Sequence, residues 1–215
     1  MDKVGLFGGS FNPIHHGHLI AARAVAEWAG LARVVFLPCR QPPHKHENDL
    51  LDGAHRGEMV KLAIADGGTS KPACQTALRS IFSFSDYDLT RQGPSFTIDT
   101  VRHFRAELGR DAELCWIIGA DSLRELPTWR CVTELVEECR IITAARPGWT
   151  TDVWDDLRQA FTDDQIARLR SDVVETPLID ISATDIRRRI SSGRSVRYLM
   201  PEEVICYVRE NNLYS

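Results

Sequence analysis

Short apolar runs alternate with amphipathic stretches along most of the chain. KVGLF (3–7) is a compact apolar run closed by glycines, the pattern of a strand buried on both faces. RVVFLP (33–38) repeats that pattern and ends on a proline. ELCWIIG (113–119) and CRIITAA (139–145) repeat it again, the last stopped by Pro147 and Gly148. Between these runs the apolar positions shift to helical spacing. Leu19, Ala22, Val25, Ala26 and Ala29 predict a helix over 18–29 with Gly30 as its stop. Residues 54–66 read as a second helix. Thr97, Val101, Phe104 and Leu108 share one face of a third that ends at Gly109. A rather polar helix is expected over 155–169, an extended segment over 173–181, and short helices over about 184–191 and 201–210.

This alternation predicts an α/β fold, a doubly wound parallel sheet with helices on both faces. One domain is expected over 1–215, with a small C-terminal helical segment from about 182. No repeat, low-complexity tract or linker interrupts it, and RQPPHKHENDLLDG (40–53) reads as a polar surface loop.

Composition narrows the function classes. Hydrophobic residues make up 43% and charged residues 26%, an ordinary globular mixture. A net charge of -4 offers no overall basic field for nucleic acid. No apolar run approaches the roughly 18 residues that span a bilayer, and the N-terminus lacks a signal-peptide layout. The six cysteines show neither a CxxC pair nor a zinc-like spacing, so reduced thiols and a cytoplasmic location are expected. The sequence leaves open whether the chain forms a homo-oligomer.

The densest chemistry lies in LFGGSFNPIHHGHL (6–19), which holds three glycines, three histidines and a proline. It follows the first strand, at the carboxyl end where such sheets bind ligands. Gly8 and Gly9 would let a ligand approach the backbone. A helix starting near Gly17 or His18 offers unpaired N–H groups and a positive dipole end to phosphate. His15 and His18, three residues apart, can face one ligand and stabilise charge developing on phosphoryl oxygens. Neither GxGxxG nor a GK[ST] phosphate loop is present. A zinc site from His15, His18 and a distant third ligand remains open at this point.

GGSFNPIHHGHL resembles the signature of the HxGH nucleotidyltransferases. PPHK (42–45), PSFTIDT (94–100), GADS (119–122) and ISATDIR (181–187) are similar to further motifs of bacterial nicotinate-nucleotide adenylyltransferases, in that family's order and across nearly the whole chain. Departures are mild: Ser10 for threonine, Asn12 for aspartate, Phe96 for tyrosine, and SATD for SSTE. The resemblance implies a Rossmann-like enzyme that joins ATP to nicotinate mononucleotide in NAD synthesis, with Mg²⁺ held mainly by phosphates and water. It implies catalytic roles for His15, His18, Arg187 and Lys45. It implies an ATP site from Gly8, Gly9, Ser10, Phe11, His18, Gly119, Asp121, Ile181, Ser182, Thr184 and Arg187, and a mononucleotide site from Ser10, Phe11, Asn12, Lys45, Ser95, Phe96, Thr97 and Trp129. No resident metal site is expected.

Several of these residues also have plain structural readings. Ser182 and Asp185 form a capping-box pattern, which is compatible with an anion site at the same helix start. Ser122 with Glu125 forms another, in competition with a ribose-binding Asp121. Lys45 could be solvated, and Trp129 could pack rather than stack on a pyridine ring. The nearest rival activity is adenylyl transfer to nicotinamide mononucleotide. A nucleotide-sensing module would need neither His18 nor Arg187.

Overall fold

A computed structural model describes residues 2–41, 50–65, 81–145 and 153–215. Its strands are β1 (Lys3–Gly9), β2 (Arg33–Pro38), β3 (Phe82–Phe84), β4 (Glu113–Gly119), β5 (Arg140–Ala145) and β6 (Val173–Glu175). Its helices are α1 (His16–Ala29), α2 (Gly53–Ile64), α3 (Tyr87–Thr90), α4 (Thr97–Leu108), α5 (Ala120–Glu125), α6 (Val132–Glu138), α7 (Val153–Leu157), α8 (Asp163–Ser171), α9 (Ala183–Ser191) and α10 (Glu202–Glu210). The strands form one parallel sheet in the order β3-β2-β1-β4-β5-β6. Strand order reverses between β1 and β4, which opens a crevice beyond their carboxyl ends.

Because every central strand is apolar on both faces, alternation divides the core into two layers. Val4, Leu6, Val35, Leu37, Leu114, Trp116 and Ile118 face the layer closed by α4, α6, α7 and α8. Val34, Phe36, Cys115, Ile117 and Ile142 face the layer closed by α1, α2, α9 and α10. The C-terminal helices thus share a core with the helix that follows the signature turn, through Ile186, Val204 and Val208.

The expected elements recur with informative differences. The single helix over 155–169 is two helices. The Thr162 hydroxyl accepts from the Gln165 N–H, and Gln165 Oε1 accepts from the Thr162 N–H. This reciprocal cap starts a new helix inside an otherwise helical pattern. The extended run over 173–181 pairs with β5 only as far as Glu175. The strand expected from 139 begins at Arg140, because Cys139 terminates α6. β3, α3, α5 and α6 are too short for their periodicity to register. Gly30 takes the left-handed conformation that ends α1.

Gly5 shows how tightly β1 is packed. A Cβ there would lie 2.7 Å from Leu31 Cδ1 and 3.2 Å from both Ile117 Cδ1 and Val34 Cγ2. Gly5→Ala should therefore destabilise the fold by about 1–3 kcal/mol. Urea unfolding checks this, and an unchanged midpoint would contradict it.

Candidate active site

The turn between β1 and α1 is shaped by the protein's own aromatic rings. A Cβ on Gly8 would lie 2.5 Å from the Trp116 indole, and one on Gly9 would lie 3.0 Å from the Phe11 ring. Gly8 is therefore required before any ligand arrives, and a side chain at Gly9 would need the Phe11 ring to give way slightly. Phe11 is 1% exposed and has φ 43°, a left-handed conformation that a residue with a side chain adopts at a cost of about 1–3 kcal/mol. Its ring packs against Phe7, Phe36 and His18, with centroids 5.7, 5.7 and 5.1 Å away. The Asn12–Pro13 peptide bond that follows is cis.

The imidazoles stand where the turn enters α1. His15 occupies the position before the first helical residue, and its ring stacks on His18 at 3.7 Å and 26°. The His15 N–H donates to His18 Nδ1 at 3.2 Å. A neutral imidazole that accepts at Nδ1 carries its proton on Nε2, which makes Nε2–H the outward donor. Burial, reinforced by charge on His15, holds the His18 pKa well below the usual histidine value. A Cβ on Gly17 would lie 3.0 Å from His15 Nδ1, so a side chain there would crowd the His15 ring.

The start of α9 meets the start of α1. The Ile181 carbonyl oxygen lies 3.7 Å from the position of a Gly17 Cβ. Ser182 caps α9 by accepting from the Asp185 N–H at 3.1 Å, as its spacing predicted, while the Asp185 carboxylate pairs with Arg188. Arg187 donates to the Asn12 carbonyl at 2.8 Å and to Thr184 Oγ1 at 3.3 Å. Asn12 is buried, and its Oδ1 accepts from Tyr214 Oη at 2.7 Å and the Leu51 N–H at 3.4 Å.

Beside this cluster, at the strand-order reversal, lies a cleft of about 580 Å³. Its walls include Gly8, Gly9, Ser10, Ser95, Phe96, Thr97, Gly119 and Trp129 from the expected set. Trp116 belongs both to the core and to the wall. Phe96 precedes α4 without giving it a side-chain cap, so the start of this helix opens on the cleft. Ser95 Oγ accepts from the Arg40 N–H at 3.2 Å and donates to the Asp88 carbonyl at 3.4 Å.

Asp121 is exposed in the first turn of α5, outside the cleft wall. The capping box expected from Ser122 and Glu125 does not form. Gly119 precedes α5, which leaves Ser122 inside the helix and on the cleft wall. Lys45, with its neighbours His44 and His46, lies outside the described residues.

Three residues here were not singled out from the sequence. Buried Asp88 lines the cleft, accepts from Thr100 Oγ1 at 2.8 Å, and has its pKa raised by burial. Tyr214 reaches Asn12 from the far end of the chain. Arg56 is sealed beneath the turn, and it did leave a signal: a charge at i, with Met59 and Val60 at i+3 and i+4, occupies the apolar face of α2.

The cytidylyltransferase-like family model matches residues 6–189. A probable nicotinate-nucleotide adenylyltransferase of Thermomicrobium roseum is 40% identical over 214 residues, covering 100% of this chain and 92% of that protein. Its counterpart from Moorella thermoacetica is 37% identical over 212 residues, covering 99% and 91%. Among solved structures, the Plasmodium falciparum nicotinic acid mononucleotide adenylyltransferase complexed with NaAD shares the fold. Its TM-score is 0.69 at 18% identity, with coverage of 100% of this chain and 98% of that one.

The burial of His18 has a consequence for pH. Its native pKa lies below the unfolded value of about 6.5, so on acidification the unfolded chain takes up this proton first. The contribution of His18 to stability is complete above about pH 6.5 and is lost as pH falls toward the native pKa. In an NMR titration the His18 imidazole should have a midpoint below about 6.5. A midpoint at or above that value would contradict the burial.

Proposed function

The chain belongs to the nicotinate-nucleotide adenylyltransferases within the cytidylyltransferase-like family, and on that premise we propose that it transfers the adenylyl group of ATP to nicotinate mononucleotide. The products are nicotinate adenine dinucleotide and pyrophosphate. The observation that carries this reading is the meeting of two helix starts, with His15 and His18 on one and Ser182 and Arg187 on the other, beside a cleft at the strand reversal. Helix starts, imidazoles and a guanidinium together favour a polyphosphate.

A mononucleotide phosphate oxygen attacks the α-phosphorus in line. The bond from that phosphorus to the bridging oxygen breaks, and its electrons leave with pyrophosphate. The nucleophile is already an anion, so no base is required, and catalysis comes from positioning and charge neutralisation. The backbone of Gly8, Gly9, Ser10 and Phe11 contacts the reacting phosphates. His18 Nε2–H and His15 donate to the transferring phosphoryl group, whose charge favours the imidazolium forms. Ile181, Ser182, Thr184 and Arg187 hold the β- and γ-phosphates at the start of α9. A guanidinium has five N–H donors, so contacts to Asn12 and Thr184 are compatible with a grip on phosphate. Gly119 and Asp121 serve the ATP ribose, and Lys45 supplies a further cation.

The mononucleotide lies along Ser10, Phe11 and Asn12, with its ring near Ser95, Phe96, Thr97 and Trp129. The Asn12 side chain is engaged by Tyr214 and Leu51, and its carbonyl by Arg187. Among the described residues no three His, Cys, Asp or Glu side chains gather to hold a metal ion. Mg²⁺ fits as a companion of the ATP phosphates, ligated by them and by water, where it adds neutralising charge. Also among the described residues, no helix is long and apolar enough to cross a membrane. We assign the reaction to the cytoplasm, and the whole chain to one domain, because the C-terminal helices complete the core under α1.

The choice of ring follows from α4. An uncapped helix start favours a carboxylate over an amide, whose NH₂ would face donors unpaired. Asp99, in the first turn, is drawn to Arg91 at 2.9 Å and lies 3.9 Å from Arg130, which limits its opposition to an anion. With pyrophosphate release as the readout, nicotinate mononucleotide should exceed nicotinamide mononucleotide in kcat/KM by roughly 30–150-fold, or about 2–3 kcal/mol. Equal values would move the assignment to the amide enzyme. His18→Ala should lower kcat by about 10²–10³ and change ATP binding far less. Near-normal turnover in that folded variant would remove His18 from the mechanism.

A further inference from the structure

Arg56 is 1% exposed, the largest of the fully buried side chains among the described residues. Its donors go to main-chain carbonyls on three separate segments. Nε donates to Leu51 at 2.8 Å, Nη1 to Ser10 at 2.8 Å and Nη2 to Arg40 at 3.2 Å. Burying a guanidinium is costly, and burial pushes its pKa below the usual arginine value. A purely packing role on α2 would be served by an apolar side chain like its neighbours Met59 and Val60.

The same turn is held a second time two residues on. Tyr214 Oη donates to Asn12 Oδ1 at 2.7 Å, and the Leu51 N–H reaches the same oxygen at 3.4 Å. Arg56 and Tyr214 therefore clamp Ser10 and Asn12 on either side of Phe11, the residue in the left-handed conformation. In a trans peptide the C=O and the following N–H point in opposite directions. Fixing the Ser10 carbonyl toward Arg56 fixes the Phe11 N–H away from it. Fixing Asn12 also fixes the carbonyl that Arg187 grips.

We propose that Arg56 and Tyr214 are positioning residues for phosphoryl transfer: without touching substrate, they hold residues 10–12 so that the Phe11 N–H, His18 and Arg187 present one rigid set of donors. This rests on the adenylyl-transfer function proposed above. Rigidity of this kind acts on the transition state more than on bound substrate, and a misplacement of about 1 Å can cost about 10² in rate.

Arg56→Lys keeps the charge but cannot span three carbonyls, while Tyr214→Phe removes one hydroxyl from a half-buried ring near the chain end. Both are compared with the unaltered protein, well below their melting temperatures, for kcat, for KM of ATP and of nicotinate mononucleotide, and for the His18 NMR titration. Expected are a fall in kcat of about 10–100-fold in Arg56→Lys and about 3–10-fold in Tyr214→Phe, KM values within about threefold, and a His18 midpoint that rises as the turn loosens. Turnover within about twofold of the unaltered protein in both folded variants would overturn the proposal, as would a loss carried by KM. If Arg56→Lys does not fold, Tyr214→Phe decides alone. An inactive unaltered protein would refute the function instead, and the His18 midpoint then still decides: unmoved in Tyr214→Phe, it refutes the positioning role.

Discussion

Two aromatic rings and two glycines interlock at the end of β1, and the site depends on that contact. The Trp116 indole occupies the space of a Gly8 side chain, and the Phe11 ring occupies that of Gly9. Phe11 reaches its place only by taking a left-handed backbone, which its packing among Phe7, Phe36 and His18 stabilises. The chain must then run through Asn12 toward α1, which brings His15 and His18 into their stack. Rigidity at the candidate site therefore comes from the hydrophobic core below it, which the proposed catalysis by positioning would require.

Charge is arranged to serve the same end. Cationic and dipolar donors converge from α1 and α9, while three acidic groups of this region already have partners. Asp88 is bonded to Thr100, Asp99 to Arg91, and Asp185 to Arg188. Burial favours the neutral form of His18, and in the proposed reaction a bound phosphate would supply the charge that favours protonation.

The C-terminal segment has a larger part than its length implies. α9 supplies Ser182 and Arg187, α10 packs into the layer beneath α1, and Tyr214 ties the chain end to Asn12. The His16 N–H donates to the Leu199 carbonyl at 3.0 Å, which fastens the start of α1 to this segment as well. The β1–α1 turn and α9 are thus far apart in the chain but bonded directly in space.

The sequence by itself determined the doubly wound sheet, because runs apolar on both faces can be buried only between helical layers. It also named the candidate site residues, because glycines, histidines and cap residues at set spacings carry their own local geometry. The cap at Ser182 is an example, since its partner lies three residues away. Only the tertiary structure decided what depended on contacts distant in sequence. Trp116 makes Gly8 obligatory, Gly119 rather than Ser122 begins α5, and Arg56 and Tyr214 meet the turn across separations that no periodicity encodes. A side chain's local pattern states what it can do, but its partner is chosen by the packing of elements far apart in the chain.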